Sequence, residues 1–223
     1  FVFNFAGIAD IEIANKNLID TINQNILGNA NILKACNYHN IKKYIFASTI
    51  YVFSNSGGFY RASKQSAEIF IKEYCSKFNL NYNILRFGTI YGTRSDDSNA
   101  VYKYIKYALQ NKKIIIPGSK NILREYINVS DVAELSVKIL DKKYDNESYI
   151  ITGNNNYKLQ NLLTMISQIC KKKIKVSYKP KVKSSHYTLT PYSYEPERSK
   201  KFVNHIYTDL GQGILEIVRD IKA

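Results

Sequence analysis

The stretch from Ile45 to Lys64, IFASTIYVFSNSGGFYRASK, limits the folds open to this chain more than any other. It starts as an apolar run (Ile45, Phe46, Ala47) and reaches two hydroxyls, Ser48 and Thr49. It then breaks at Gly57-Gly58 and sets Tyr60 four residues before Lys64. That order reads as a strand delivering a hydroxyl, followed by a helix delivering a phenol and an amine, an α/β arrangement.

Proton transfer coupled to oxidation of an alcohol is the chemistry this order suits. A tyrosine phenol has an ordinary pKa near ~10, and a nearby ammonium favours the phenolate and lowers that value. Residues i and i+4 of a helix share one face, so Tyr60 and Lys64 have the required spacing. Thr49 would hydrogen-bond the substrate oxygen and hold it against the phenol. With 19 tyrosines and 32 Lys plus Arg, the same spacing recurs at Tyr38/Lys42 and Tyr102/Lys106. Only Tyr60 follows a strand-like run ending in Ser-Thr and opens a long amphipathic segment. The competing reading is a surface tyrosine and lysine on an ordinary helix.

At 223 residues with 45% hydrophobic composition the chain can bury a full core, as one domain or a domain plus a small lobe. It shows no apolar run of membrane-spanning length and no charged-then-apolar leader, so a cytoplasmic protein is expected. Cys36, Cys75 and Cys170 are scattered, which favours reduced core thiols over disulfides or a zinc site, and the three histidines lack metal-ligand spacing. The net charge of +14 is spread along the chain rather than gathered in one stripe, so nucleic acid is not the expected partner.

Several stretches, in order, resemble the extended short-chain dehydrogenase/reductases that act on nucleotide sugars. FVFNFAG (Phe1 to Gly7) is similar to that family's fourth strand, and NQNILGNANILKAC (Asn23 to Cys36) to the following helix. STIYVFS resembles its Ser-Thr-x-x-Val-Tyr-Gly turn, and Tyr60 to Lys64 its catalytic pair. LRFGTIYG (Leu85 to Gly92) is similar to its next strand and turn, and REYINVSDVA (Arg124 to Ala133) to its signature near the substrate.

The resemblance implies a Rossmann-like doubly wound parallel sheet missing its first strands, plus a small mixed α/β substrate lobe. The expected division is a cofactor domain over 1–140 and a substrate lobe over 141–223. Thr49, Tyr60 and Lys64 would be catalytic. Asn4, Ala6, Gly7, Ser48, Tyr60 and Lys64 would meet the cofactor, NAD, with NADP left open. Asn25, Thr89, Arg124 and Arg198 would meet a nucleotide-sugar substrate, and a homodimer stays open. Thr89 stands where the family commonly has asparagine. Family members also carry a Gly-x-x-Gly-x-x-Gly loop for the dinucleotide pyrophosphate, and none of the ten glycines here makes one. With Phe1 first and Met165 the only methionine, a fragment is expected, inactive in isolation and weak in binding NAD.

Read from the residues alone, the competing readings are a solvent-facing Asn25 in an Asn-rich chain and an Arg124 that pairs at the surface with Glu125 or Asp131. Periodicity predicts a helix over Asn17–Asn37, another over Arg61–Phe78 with Ala67, Phe70, Ile71 and Tyr74 inward, and a helix capped by Ser130 or Asp131. The loop holding Tyr187, Tyr192, Tyr194 and Arg198 reads as a surface loop or as a base-stacking segment. Dehydratases of the family have Asp-Glu where Ile50-Tyr51 stand, so elimination lacks its acid. The implied activity is NAD-dependent epimerisation; a reductase or dehydratase, and a non-catalytic remnant or binding module, are the alternatives.

Overall fold

A computed structural model describes residues 1–117, 121–179, 185–191 and 200–223. Its strands are β1 (Val2–Asn4), β2 (Lys43–Thr49), β3 (Asn81–Phe87), β4 (Thr89–Tyr91), β5 (Ile114–Pro117), β6 (Leu123–Asn128), β7 (Glu147–Ile151), β8 (Asn156–Lys158), β9 (Val176–Lys179) and β10 (Lys200–Lys201). Its α-helices are α1 (Ile11–Lys16), α2 (Leu18–Ile22), α3 (Gly28–Tyr38), α4 (Gly58–Phe78), α5 (Ala100–Leu109), α6 (Val129–Lys138), α7 (Leu159–Cys170) and α8 (Leu210–Lys222).

Five strands form one parallel sheet in the order β1-β2-β3-β7-β10. Strand side chains alternate between faces, and β2 uses both. Tyr44 and Phe46 join Leu33 and Cys36 of α3 and Ala67, Ile71 and Cys75 of α4 on one side. Ile45 meets Val132 and Leu135 of α6 on the other, with Leu85 and Ile151. Each fully buried Ile or Leu here contributes about 1.5–3 kcal/mol, so both faces are anchored through the same short strand. A separate core joins α5, α7 and α8 to Ile114, Ile116, Tyr91 and Tyr126.

Three expectations change. The central sheet includes β7 and β10, while α5 and β5 belong to the second core, so the two layers do not divide at residues 140 and 141. An apolar run such as Tyr149-Ile150-Ile151 looks the same in either sheet; only pairing with β3 tells them apart. The Asn17–Asn37 helix is interrupted by a π-helical turn, Asn23–Leu27, between α2 and α3. And α6 is capped by Asn128, whose side chain accepts from the Ser130 amide at 2.9 Å, whereas Asp131 turns to Thr208.

The Gly57-Gly58 break is required by geometry. Both residues have positive φ (101° and 51°), and a Cβ would lie 2.8 Å from the Tyr51 ring at Gly57 and 2.1 Å from Asn15 at Gly58. Those glycines let the chain turn from β2 into α4 tightly enough to keep Tyr60 beside the end of β2. Helix α4 then buries Ala67 and Ile71 as expected, but Phe70 is 55% exposed.

Candidate active site

A cavity of about 480 Å³ opens at the carboxyl ends of β1, β2 and β3, where ligands bind in open parallel sheets. Its floor holds Thr49 from β2 and Tyr60 and Lys64 from the first turns of α4. Thr49 is 5% exposed, Tyr60 8% and Lys64 5%, whereas Tyr38 of a rival Tyr-x-x-x-Lys is 81% exposed and Lys106 of the other pairs with surface Asp97. Burial therefore selects one of the three spacings.

The Lys64 ammonium donates to the Ala47 carbonyl at 2.8 Å and lies 4.7 Å over the Phe46 ring. Burial lowers its pKa to about 8, opposed by the carboxylate of Glu68. The Tyr60 phenol is instead pushed up by burial, with the Thr49 hydroxyl acting as a hydrogen-bond partner that lowers it and Tyr187 raising it further. This corrects the expectation that Lys64 lowers the Tyr60 pKa in the chain by itself. The ammonium is turned to the end of β2, and desolvation dominates the buried phenol.

Backbone at the end of β1 forms another wall, through Phe5, Ala6 and Gly7. Gly7 has φ +137°, and a Cβ there would strike Asn25 Oδ1 at 2.5 Å. The Asn4 side chain is elsewhere, buried and donating to Tyr44 at 2.6 Å and Asn29 at 3.3 Å. Ser48 borders the cavity, yet its hydroxyl donates to Glu68 at 2.5 Å. Asn25, 2% exposed on the π-helical turn, accepts from the Ile8 amide at 2.8 Å and donates to the Ile8 carbonyl at 3.0 Å and the Ser63 hydroxyl at 2.9 Å. It is neither a surface residue nor a wall of the cavity; it ties the loop after β1 to α4.

The opposite wall carries Thr89, Arg124, Tyr187 and His186. Arg124 lies 4.8 Å over the Tyr187 ring and donates to the Tyr187 carbonyl at 3.1 Å. Its Nε is buried without a hydrogen-bond partner among the described residues. Glu125 and Asp131, the alternative partners of Arg124, are bonded to Lys201 and Thr208. Thr89 meets the Tyr187 hydroxyl at 3.1 Å, and Tyr51 meets His186 Nδ1 at 2.7 Å. Arg198, Tyr192 and Tyr194 lie outside the described residues.

Floor, backbone wall and guanidinium wall thus share one cleft at the switch from strand to helix. Residues 1–152 match the sequence model of the NAD dependent epimerase/dehydratase family. This chain belongs to that family. Among curated relatives, Protein CapI of Staphylococcus aureus is 29% identical over 155 residues, covering 63% of this chain and 46% of that protein. The dTDP-D-glucose 4,6-dehydratase of Dictyostelium discoideum is 26% identical over 200 residues, covering 79% and 44%. The chain spans about half the length of the curated relatives it matches.

Solved structures share the fold. The UDP-glucose 4-epimerase of Thermotoga maritima with UDP-glucose matches at TM-score 0.81 and 21% identity over 99% of this chain and 76% of its own. The Bacillus cereus UDP-glucuronic acid 4-epimerase in complex with UDP-glucuronic acid and NAD matches at 0.84 and 22%, over 98% and 74%.

The epimerase/dehydratase family is NAD dependent. Lys64, Ala6 and Gly7 border the same cavity. No glycine-rich pyrophosphate loop occurs in the 223 residues. Two wall residues escaped the sequence reading: Tyr51, considered only for the acid it replaces, and His186, dismissed for lack of metal spacing. Tyr187, left between two readings, is 7% exposed and sits in the wall. For His186 and Tyr187 the one available signal was the aromatic density of the loop that begins at His186.

Proposed function

We propose that this chain carries the catalytic floor and substrate wall of an NAD-dependent nucleotide-sugar epimerase. The observation that carries this reading is the convergence of the Thr49 hydroxyl, the Tyr60 phenol and the Lys64 ammonium in one cavity with Arg124 opposite. Thr49 orients a sugar hydroxyl, and Tyr60 takes its proton as the carbon is oxidised, then returns it to the ketone oxygen. Lys64 holds the dinucleotide ribose. NAD, when bound, accepts and returns the hydride. Arg124, with a buried donor to spare, takes the substrate diphosphate, for which a planar guanidinium is suited. Ala6 and Gly7 border the dinucleotide by backbone, and Thr89 and Tyr187 border the nucleotide sugar.

Epimerisation is favoured over elimination by Ile50 and Tyr51. Ile50 is apolar and 1% exposed, and burial raises the Tyr51 phenol. Neither supplies a ready acid for expelling a hydroxyl.

Incubating the protein at saturating NAD, and in parallel with NADH, with UDP-glucose, UDP-galactose, UDP-glucuronate or dTDP-glucose, and resolving products by NMR, tests the reading. A 4-epimer formed without net NADH is the expected result; stoichiometric consumption of reduced nicotinamide would mean a reductase. Residues 1–223 alone are expected to bind NAD weakly for want of a pyrophosphate loop, and micromolar affinity by calorimetry would overturn that.

A further inference from the structure

One turn beyond Lys64 on α4 stands a second buried charge that the reaction above does not use. Glu68 is 6% exposed and Arg86 of β3 is 4%. Glu68 Oε1 accepts from the Ser48 hydroxyl at 2.5 Å and Arg86 Nε at 3.0 Å, and Oε2 accepts from the other arm of the guanidinium at 2.6 Å. Arg86 in turn lies 4.8 Å from the centre of the Phe53 ring. The carboxylate is thus held by two strands while riding on the catalytic helix.

Tyr60, Lys64 and Glu68 follow at i, i+4 and i+8, so they form one stripe of α4. The carbonyl of Ala47 and the ring of Phe46 are the groups in direct contact with the Lys64 ammonium. A hidden ammonium so placed sheds its proton unless an anion lies near. Tyr60 and Thr49 beside it are neutral at pH 7. Asp10, Glu12, His186 and Arg124 border the same cavity, whereas Glu68 is the buried carboxylate one helical turn from Lys64 on the same face of α4, placed so that its field opposes the loss of the Lys64 proton.

We propose that Glu68 is a positioning residue for Lys64: its carboxylate, clamped by Arg86 and Ser48 one helical turn away, holds the Lys64 ammonium seated at the end of β2. A buried ion pair is often merely neutral for stability, so its presence under the floor asks for another role. Arg86 fixes where the negative charge sits, and Ser48 links that charge to the strand end that bears Thr49. The inference rests on the epimerase reading for its use in turnover, but not for its effect on Lys64.

The deciding experiment titrates Lys64 directly. The protein is labelled with [13Cε]-lysine, the Lys64 resonance is identified by its loss in K64R, and its midpoint is followed with pH. Glu68→Gln is expected to lower that midpoint by about one pH unit, as loss of an opposite charge lowers a lysine pKa. Glu68→Asp keeps the charge and should stay near the parent. If Glu68→Gln fails to fold, E68Q/R86Q removes both charges of the pair and should still lower the midpoint by about half a unit.

In turnover the high-pH fall of kcat/KM should move down with the resonance. A purely structural Glu68 would scale activity equally at all pH values and leave the resonance in place. An unmoved Lys64 midpoint in a folded variant overturns the proposal. A shifted midpoint in a protein without epimerase activity would instead sink the functional reading and leave the inference standing.

Discussion

On the floor of the cavity, Tyr60 and Lys64 ride a 21-residue helix packed on β2 and β3 and are fixed by contacts within α4 and its neighbouring strand. Across from them, Tyr187 and His186 belong to a segment whose described residues, 185–191, form no helix and only an isolated bridge, Leu123 to Leu189. Backbone bonds lay that segment along β6: Leu123 donates to Thr188 at 2.8 Å and Thr190 to Leu123 at 3.2 Å. The floor places reacting groups by the regularity of a helix; the wall places recognising groups by a borrowed ladder. Substitutions on the floor should therefore act on the chemical step, and those on the wall on binding.

The sharpest break in that contrast would come from Tyr60→Phe, which removes only the proton acceptor. It should lower kcat by about 10²–10⁴-fold with KM little changed, as expected for lost acid–base catalysis, and a steady-state assay with a circular-dichroism check would show it. A wall-type response, with KM rising and kcat intact, would refute the division. Arg124→Met comes next, raising KM about tenfold or more through the lost charge-assisted bonds while sparing kcat.

Lys64→Met probes the floor by stability. A depression from the ordinary 10.5 to about 8 corresponds to on the order of 3 kcal/mol spent holding an ammonium in an apolar setting. Between those two values the unfolded chain binds more protons than the folded one, so stability rises with pH across that window. Lys64→Met should abolish turnover yet raise the melting temperature at pH 7, and the gain should shrink above pH 8. The smallest effect is expected from Tyr187→Phe, which loses one 3.1 Å contact to Thr89 and should change KM by only a few-fold, about 1 kcal/mol or less.

The same contrast explains what could be read in the chain. Strand β2, helix α4 and their hydroxyl–phenol–amine order were legible because strand runs, helical period and i, i+4 spacing are local. Of the wall, Thr89 and Arg124 were named from the sequence but their partners were not legible, since Tyr51 reaches His186 across 135 positions and Thr89 reaches Tyr187 across 98. Short strands β4, β6 and β8 were also missed, being only three to six residues long and paired through long-range register. Asn25 was assigned to the substrate by resemblance, with a solvent-facing residue as the alternative; it is instead buried, and its bonds to Ile8 and Ser63 lie inside the scaffold. Asn4 was assigned to the cofactor by its place at a strand end, and alternation turns it inward instead.

The π-helical turn at Asn23–Leu27 has a meaning for how this protein tolerates length changes. A π turn accommodates one residue more than the α-helical path would, and it holds Asn25 where the Ile8 peptide passes. Deleting a single residue there would let α2 and α3 fuse into one regular helix, improving local hydrogen bonding while rotating Asn25 away from Ile8 and Ser63. Such a deletion would leave the secondary structure looking healthier and the loop after β1 untethered. In this segment, an apparent irregularity is the register mark that keeps the backbone wall of the cavity aligned with its catalytic helix.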